Sequence, residues 1–354
     1  MSAWRIVGHG EAIALLRHSL AADRVSHAYL VTGPRGSGRR TLALELAKAL
    51  NCLVDDVAAR PCGVCRQCRL IDRGVHPDVR VVQRAPERKV ILMRDPTPAG
   101  PPRPYRDNVA WIQSDAQLRP VDGRKKVYLV VNAEDLSEDA ANRLLKTIEE
   151  PTRFVHFILT ASDRGAVLPT VLSRCQEVRL RPVPREEIAR ALEDADGVLV
   201  ARAAQIAALS GGSPGWALAA GRDAAVLERR SDEVRALHEA LGAGRLDRLV
   251  RARALAERWP SQPDRLRSLL RTWLAWWRDV ILTQLSLETR VVHIDPAERS
   301  AVQAAARHVS LAAARAAQRT VRRTLEDLEA NVNARLALDL LLLQLPRADV
   351  VGHQ

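Results

Sequence analysis

Four of the five cysteines are the residues best suited to bind a metal. They are spaced as C-x9-C-x2-C-x2-C, at Cys52, Cys62, Cys65 and Cys68. Zinc binds four thiolates in a tetrahedron, and a C-x2-C turn presents two of them together, with Gly63 able to supply a left-handed backbone. Four thiolates leave no open position, so the spacing predicts a structural zinc; packed free thiols are the alternative. The fifth, Cys175, is distant in sequence and is predicted to be buried.

A glycine-rich segment, LVTGPRGSGRRT, follows a strand-like run and precedes a helical pattern. Gly33 and Gly38 fit the two glycine positions of a phosphate-binding loop, G-x-x-x-x-G-K-[ST], and Gly36 lies between them. Backbone amides of such a loop, at the start of a helix, form an anion site whatever the side chains are. The segment is therefore a candidate nucleotide site.

The side chains that follow these glycines depart from that pattern. Arg39 replaces the lysine that contacts the phosphates, and its planar group is bulkier than an ammonium. Arg40 replaces the hydroxyl that binds Mg²⁺, and Thr41 lies one position late, about 100° around the helix. The loop is a degenerate one, and nucleotide binding there is left open.

A second strand, KVYLVV, should deliver the acidic residues of a hydrolytic site. Its tip has Asn132 and Ala133 instead, and Glu134 and Asp135 come too late to face the same point without a register slip. Two separate halves of a Mg²⁺ site are thus altered together. We expect no ATP hydrolysis by this chain.

The surrounding pattern alternates strands with helices, which favours a parallel sheet covered by helices on both faces. The predicted strands are residues 28–31, 79–82, 127–131, 154–159 and 176–180. The segment SEDAANRLLKTIEEP predicts a helix capped by Ser137 and ended by Pro151. Five prolines within residues 94–106 predict a surface loop.

The second half of the chain is almost wholly helical in pattern. Short helices are predicted after residue 184, and longer ones from about residue 223 onward. Trp273, Trp276 and Trp277 fall on one helix face, which favours core or subunit-interface packing over a base-stacking platform.

The composition describes a globular chain of 354 residues with a formal net charge of +12. This charge favours a polyanionic partner such as nucleic acid, although only five of the 54 basic residues are lysine, so a coding bias toward arginine is the alternative. No apolar run approaches the ~20 residues that span a bilayer. The N-terminal residues lack the pattern of a secretory signal, so a cytoplasmic location is expected.

Five motifs together resemble the bacterial clamp-loader AAA+ subunits of DNA polymerase III. They are HAYLVTGPRGSGRRT, the cysteine cluster, HPDV, KVYLVVNAEDLSEDAANRLLKTIEEP and LPTVLSRCQ. The resemblance covers residues 4 to 220 and implies a RecA-like core, a helical lid and a helical collar. The domains would be 1–180, with a zinc module at about 52–70, then 181–222 and 223–354. Gamma/tau subunits of this family keep an intact loop, whereas delta-prime subunits have a degenerate one, as here.

The resemblance also implies a role. The family opens a ring-shaped sliding clamp and places it on primed DNA, as a pentameric ring with gamma/tau and delta subunits. Arg174, in the family's Ser-Arg-Cys motif, would reach the ATP site of a neighbouring subunit. Gly215 stands where ATPase relatives carry a lid arginine.

Two other functions fit the sequence less well. An active gamma-like ATPase would carry the loop lysine and an Asp-Glu strand tip, and both are absent. A zinc-containing nucleic-acid-binding protein predicts aromatic residues near the cysteines, but residues 52–82 contain no Phe, Tyr or Trp.

Overall fold

The structure is a computed structural model. It describes residues 4–85, 88, 90–93, 108–287, 291–292, 296–330 and 332–347. The proline-rich segment 94–106, predicted to be a surface loop, lies outside the described residues. The chain divides into two compact units: Met1–Ile188 with Gly212–Gly215, and Ala189–Gly211 with Trp216–Gln354.

The first unit contains one sheet of five parallel strands in the order β2-β3-β4-β1-β5. The strands are β1 Ala28–Thr32, β2 Val79–Val82, β3 Lys126–Val130, β4 Val155–Ala161 and β5 Gln176–Arg179. Each predicted strand is confirmed, with its ends within two residues of the prediction. Every residue of β1, β3 and β4 is buried, which explains why they are almost continuous apolar runs.

Helices cover both faces of this sheet, as the sequence pattern predicted. They are α1 Gly10–Ala21, α2 Arg39–Asn51, α3 Arg66–Asp72, α4 Ile112–Asp115, α5 Glu138–Glu149 and α6 Pro169–Leu172. Alternate residues of one strand enter two separate cores: Leu30 packs in the same core as Leu144 of α5, and Tyr29 in the same core as Leu42 of α2. The hydroxyl of Ser137 accepts a hydrogen bond from the Ala140 N–H, so the predicted cap of α5 is confirmed.

The strand order places a crevice at the carboxyl ends of β1 and β4. The chain leaves β1 toward β2 at one edge of the sheet, and leaves β4 toward β5 at the opposite edge. Ligand sites in parallel sheets form where adjacent strands connect in opposite directions. The glycine-rich loop follows β1 directly and therefore lies at this point.

Helices dominate the residues that the structure describes after β5. The helices are α7 Arg185–Asp196, α8 Val200–Leu209, α9 Pro214–Arg222, α10 Ala224–Gly242, α11 Arg245–Arg258, α12 Pro263–Gln284, α13 Pro296–His308, α14 Leu311–Glu329 and α15 Ala334–Gln344. Trp273, Trp276 and Trp277 of α12 are fully buried in the core of the second unit, which confirms their predicted packing role. The two compact units do not separate a lid from a collar, so the division into 1–180, 181–222 and 223–354 stays a prediction. Among the described residues, no helix has the length and apolar character to cross a membrane.

Candidate functional site

The four cysteines of the predicted zinc cluster come together in space. Cys52 ends α2, Cys62 and Cys65 flank the turn at Gly63, and Cys68 lies in α3. Their Sγ atoms all lie within 4.8 Å of one another, so the four can hold a metal ion. Zinc–sulfur bonds of about 2.3 Å in a tetrahedron place sulfurs about 3.8 Å apart. The cluster therefore fits zinc after a small contraction, and Gly63 has the predicted left-handed φ of 72°.

Hydrogen bonds and burial set the protonation of these thiols. The backbone N–H of Cys62 donates to the Cys52 Sγ at 3.4 Å, and that of Cys65 to the Cys62 Sγ at 3.3 Å. Burial by itself raises the pKa of the Cys65 thiol, but hydrogen bonds from the surrounding backbone and thiols outweigh it and lower the pKa to about 6. Burial raises the pKa of both Cys52 and Cys68. A bound cation would favour all four thiolates, so metal binding should release protons.

A buried carboxylate next to this cluster was not assigned a role from sequence, although it lies in the HPDV motif. Asp78 accepts hydrogen bonds from the backbone N–H groups of Val121, Asp122 and Gly123 at 2.7–2.8 Å. Asp122 also forms an ion pair with Arg66 of α3 at 2.7 Å. These contacts tie the segment that precedes β3 to the helix that carries Cys68.

The N-terminal segment spans the distance from the cysteine cluster to the glycine-rich loop. The indole N–H of Trp4 donates to the Arg60 carbonyl at 3.2 Å. The Nε2 of His9 lies 2.7 Å from the Ser37 carbonyl oxygen, to which its N–H donates. Burial lowers the pKa of the His9 imidazole. No motif pointed to this segment beforehand.

The glycine-rich loop has a left-handed backbone at two of its glycines. Gly36 and Gly38 have positive φ angles of 78° and 97°, and Gly38 immediately precedes α2. A Cβ at Gly33 would lie 2.8 Å from the Leu180 carbonyl oxygen. Close packing therefore requires glycine at residue 33, and the left-handed backbone favours glycine at residues 36 and 38. Thr41, the displaced hydroxyl, is exposed on α2.

Arg39 points to the tip of β3, where it meets two residues of this chain. Its Nη2 donates to the Asn132 Oδ1 at 3.5 Å, and its Nη1 lies 3.9 Å from the Glu134 Oε1. The Arg39 and Glu134 side chains are only 11% and 22% exposed. The Glu134 carboxylate also accepts a hydrogen bond from the Ser162 N–H at 2.9 Å.

The expectation that Glu134 lies away from the loop is therefore wrong. The reason is local: Asn132 has a positive φ of 55° and begins a 3₁₀ turn at Ala133–Asp135, which returns Glu134 toward α2. Asp135 turns elsewhere and pairs with Arg84 at 3.4 Å. The structure thus brings the loop and the tip of β3 together, and Arg39 lies beside the carboxylate of Glu134.

The segment GSPG packs against the same loop. The Gly215 N–H donates to the Gly36 carbonyl at 2.9 Å, and a Cβ at residue 215 would lie 3.1 Å from that oxygen. The residue that stands in place of a lid arginine therefore contacts the loop through its backbone.

Arg174 lies between α6 and β5. Its Nη2 forms an ion pair with the Glu149 carboxylate at 2.5 Å, and its Nη1 donates to the Thr170 carbonyl and the Ser173 hydroxyl at 3.0 and 3.1 Å. The Arg174 side chain is 37% exposed and folds back along α6. Cys175 beside it is half-buried, and burial raises the pKa of its thiol to about 12.

Comparison with known proteins places these features in a family. Residues 8–184, 177 of the 354, match the model of the family described as DNA polymerase III, delta subunit. DNA polymerase III subunit delta' of Pseudomonas aeruginosa is 35% identical over 259 residues, which cover 71% of this chain and 70% of that protein. Subunit delta' of Bacillus subtilis is 33% identical over 182 residues, covering 51% of this chain and 50% of that protein.

Other similar proteins are longer or more distant. DNA polymerase III subunit tau of Escherichia coli is 38% identical over 188 residues, which cover 53% of this chain and 27% of tau. The chain spans about a quarter to a half of the length of the first curated relatives it matches. A gamma subunit-related protein from Thermotoga maritima aligns over 94% of this chain and 99% of its own, with 19% identity and a TM-score of 0.43.

The family model matches half of the chain, and the Pseudomonas aeruginosa relative is covered over more than two thirds of its length. The chain therefore belongs to the family described as DNA polymerase III, delta subunit, and it is similar to the delta' subunits of that polymerase.

Proposed function

We propose that this chain is a non-hydrolysing AAA+ subunit of the clamp loader of DNA polymerase III. It would help open the sliding clamp and load it on primed DNA, in a pentameric ring with gamma/tau and delta subunits. Its relatives include tau, gamma and delta' subunits, which supports this set of partners.

The observation that carries the proposal is the ion pair between Arg39 and Glu134. In a hydrolytic site the strand-tip acids bind Mg²⁺ and position water, and the loop lysine contacts the phosphates. Here Arg39 lies beside the nearest carboxylate, that of Glu134, and Asn132 occupies the position where a Mg²⁺ ligand would be. Positive charge at Arg39 and Arg40 disfavours a divalent cation at the same point. The loop would then serve as a packing surface, with nucleotide binding dispensable.

We propose further that Arg174 completes the ATP site of a neighbouring subunit. An arginine finger suits this role because its guanidinium is planar, permanently charged and able to donate to several phosphate oxygens. Arg174 is partly exposed, and its ion pair with Glu149 joins two side chains that are 37% and 44% exposed. Pairs of this kind contribute about 0.2–1 kcal/mol, so phosphate can displace the carboxylate at small cost.

The cysteine cluster would hold a structural zinc in this scheme. When bound, the ion would fix Cys52, Cys62, Cys65 and Cys68 relative to one another, and it would supply no chemistry to a substrate. The residues near it act by positioning α2, α3 and the segment before β3.

The test is reconstitution of the complex with partner subunits unchanged and this chain varied. Arg174→Ala should lower the DNA-stimulated ATPase only partially, because one of several sites loses a finger worth about 10³ to 10⁵ in rate. Clamp loading should fall further, and Arg174→Lys should not restore it. Arg124→Ala is the matched control, since Arg124 is a 40% exposed arginine of the same unit in an ion pair with Asp55.

Equal ATPase and equal clamp loading by the wild-type and Arg174→Ala complexes would remove the role in trans and leave a structural member of the ring. ATP turnover by the isolated wild-type chain would instead favour an active gamma-like motor. Failure to co-purify with any clamp-loader subunit would favour a separate zinc-containing nucleic-acid-binding protein.

A further inference from the structure

A row of three exposed arginines lies on one face of α14, in the second unit. Arg315, Arg319 and Arg322 are spaced i, i+4 and i+7, so they follow one face at steps of about 6 and 4.5 Å along the helix. All three are exposed, and none forms an ion pair with a described residue. Exposed Ala312 and Ala316 lie beside them. We call these three residues the α14 arginine row.

Several other arginines of the same unit form ion pairs instead. Arg235 pairs with Asp232 at 3.1 Å, Arg251 with Glu239 at 2.6 Å and Arg253 with Glu257 at 2.9 Å. On α14 itself Arg323 pairs with Asp327 at 4.0 Å, and Glu326 ends the row at its C-terminal side. The row therefore sets three arginines side by side on one helix face, with no ion pair to a described residue.

The opposite face of α14 determines what kind of partner this surface can take. Its apolar residues, including Ala314, Val321 and Leu328, are buried in the core of the second unit. A basic amphipathic helix binds a membrane by inserting its apolar face, and here that face is already used. The row also lies on a convex helix surface and does not converge on a pocket, which disfavours a small anion. An extended polyanion fits best.

We propose that the α14 arginine row binds the phosphodiester backbone of double-stranded DNA. Duplex DNA offers a continuous line of phosphates, and one guanidinium can donate two parallel hydrogen bonds to the oxygens of one phosphate. Small alanines beside the row allow the backbone to approach closely. The row would contact phosphates and no base edges, so the interaction would be independent of the DNA sequence. The proposal does not depend on Arg174, on ATP or on the other subunits.

The experiment compares three variants of the full chain, without partners or nucleotide. Binding to a fluorescent 30-base-pair duplex is measured from 50 to 200 mM salt. The first variant changes Arg315, Arg319 and Arg322 to Ala, and the second changes the same residues to Lys. The control changes Arg235, Arg251 and Arg253 to Ala, which removes the same three charges from paired positions. Far-UV circular dichroism checks the fold of each.

The wild-type affinity should fall with salt more steeply than that of the alanine row variant. Three phosphate contacts give a slope difference of up to about 2.7, or about 40-fold over this salt range. The lysine variant should keep most of the slope, because a point charge still contacts phosphate. Equal losses in the row and control variants would show that only net charge matters and would overturn the proposal. Absence of duplex binding by the wild type at 50 mM salt would overturn it as well.

Discussion

The cysteine cluster and the glycine-rich loop lie in the same unit and are joined by one N-terminal segment, yet they differ in what each has kept. The cluster has all four side chains that a metal needs, at Cys52, Cys62, Cys65 and Cys68. The loop keeps its glycines and their positive φ angles. Arginines occupy the positions where a phosphate-binding loop has a lysine and a hydroxyl, and the nearby carboxylate of Glu134 pairs with Arg39. Side chains define the cysteine cluster, whereas the backbone conformation defines the glycine-rich loop.

The difference shows which physical requirement holds each region in place. Metal coordination depends on the ligand atoms themselves, so a single replacement removes a bond. The loop is held by close contacts, such as Gly33 against Leu180 and Gly215 against Gly36. Phosphate chemistry can therefore be lost without loss of the fold.

The largest expected effect is in the cluster. Structural zinc sites contribute about 10–16 kcal/mol, which shared among four ligands is about 2.5–4 kcal/mol each. Cys65→Ser should therefore weaken zinc binding about 100- to 1,000-fold. Metal analysis after competition with a chelator should show about one zinc per wild-type chain and far less in the variant. Cys175→Ser, outside the cluster, should keep the metal. A stably folded wild-type chain with no metal and four titratable cysteines would contradict the zinc assignment.

The next effect is in the backbone of the loop. Gly33→Ala forces a Cβ to within 2.8 Å of the Leu180 carbonyl oxygen and 2.9 Å of its Cβ. The free energy of unfolding should fall by about 2–3 kcal/mol in chemical denaturation, the upper part of the range of about 1–3 kcal/mol for overpacked sites. Gly10→Ala is the control, since nothing lies within 4 Å of a Cβ there. If both variants were equally stable, close packing would not explain the retained glycine.

A smaller effect is expected at Asp78, the buried carboxylate whose hydrogen bonds hold the segment before β3. Asp78→Asn should lower the free energy of unfolding at pH 7 by about 1–2 kcal/mol, because an amide replaces a charged acceptor of three N–H groups. Burial by itself raises the pKa of the Asp78 carboxyl, but the three backbone hydrogen bonds outweigh it, and the net pKa is lowered. A carboxyl with a lowered pKa in the folded chain stabilises it above the ordinary pKa and loses that effect as pH falls through the lowered value.

The difference in unfolding free energy between wild type and Asp78→Asn should therefore shrink on acidification below the ordinary pKa of aspartate. Asp56→Asn is the control, since the exposed Asp56 accepts one N–H, from Ala58. A difference that stays constant from pH 7 to strongly acidic conditions would show that the charge of Asp78 is irrelevant.

The smallest effect is expected from the loop side chain. Arg39→Ala should lower the free energy of unfolding by about 1 kcal/mol, because it removes one long hydrogen bond to Asn132 and a 3.9 Å ion pair, while Glu134 keeps its hydrogen bond from the Ser162 N–H. Neither Arg39→Ala nor Arg39→Lys should give ATP turnover, with or without primed DNA, since the Mg²⁺ ligands stay absent. Robust turnover by the wild-type chain that Arg39→Ala removes would mean that the site is active.

Much of this arrangement could be predicted from local sequence patterns. The five strands, the cap at Ser137 and the burial of Trp273 follow from periodicity and capping chemistry, which act within a few residues. The proximity of the four cysteines follows from ligand spacing, because three of them lie within seven residues. The position of Glu134 could not be predicted, because a single left-handed residue at Asn132 redirects the chain after β3.

The sequence by itself determined which groups are present: four thiolate ligands, three loop glycines, and arginines where a lysine and a hydroxyl are typical. Those identities exclude or permit chemistry before any fold is known. Only the tertiary structure decided which distant groups meet, since contacts such as Arg39 with Glu134, Arg174 with Glu149 and Gly215 with Gly36 join residues far apart in the chain. Such contacts depend on strand order and helix packing, which no local pattern encodes.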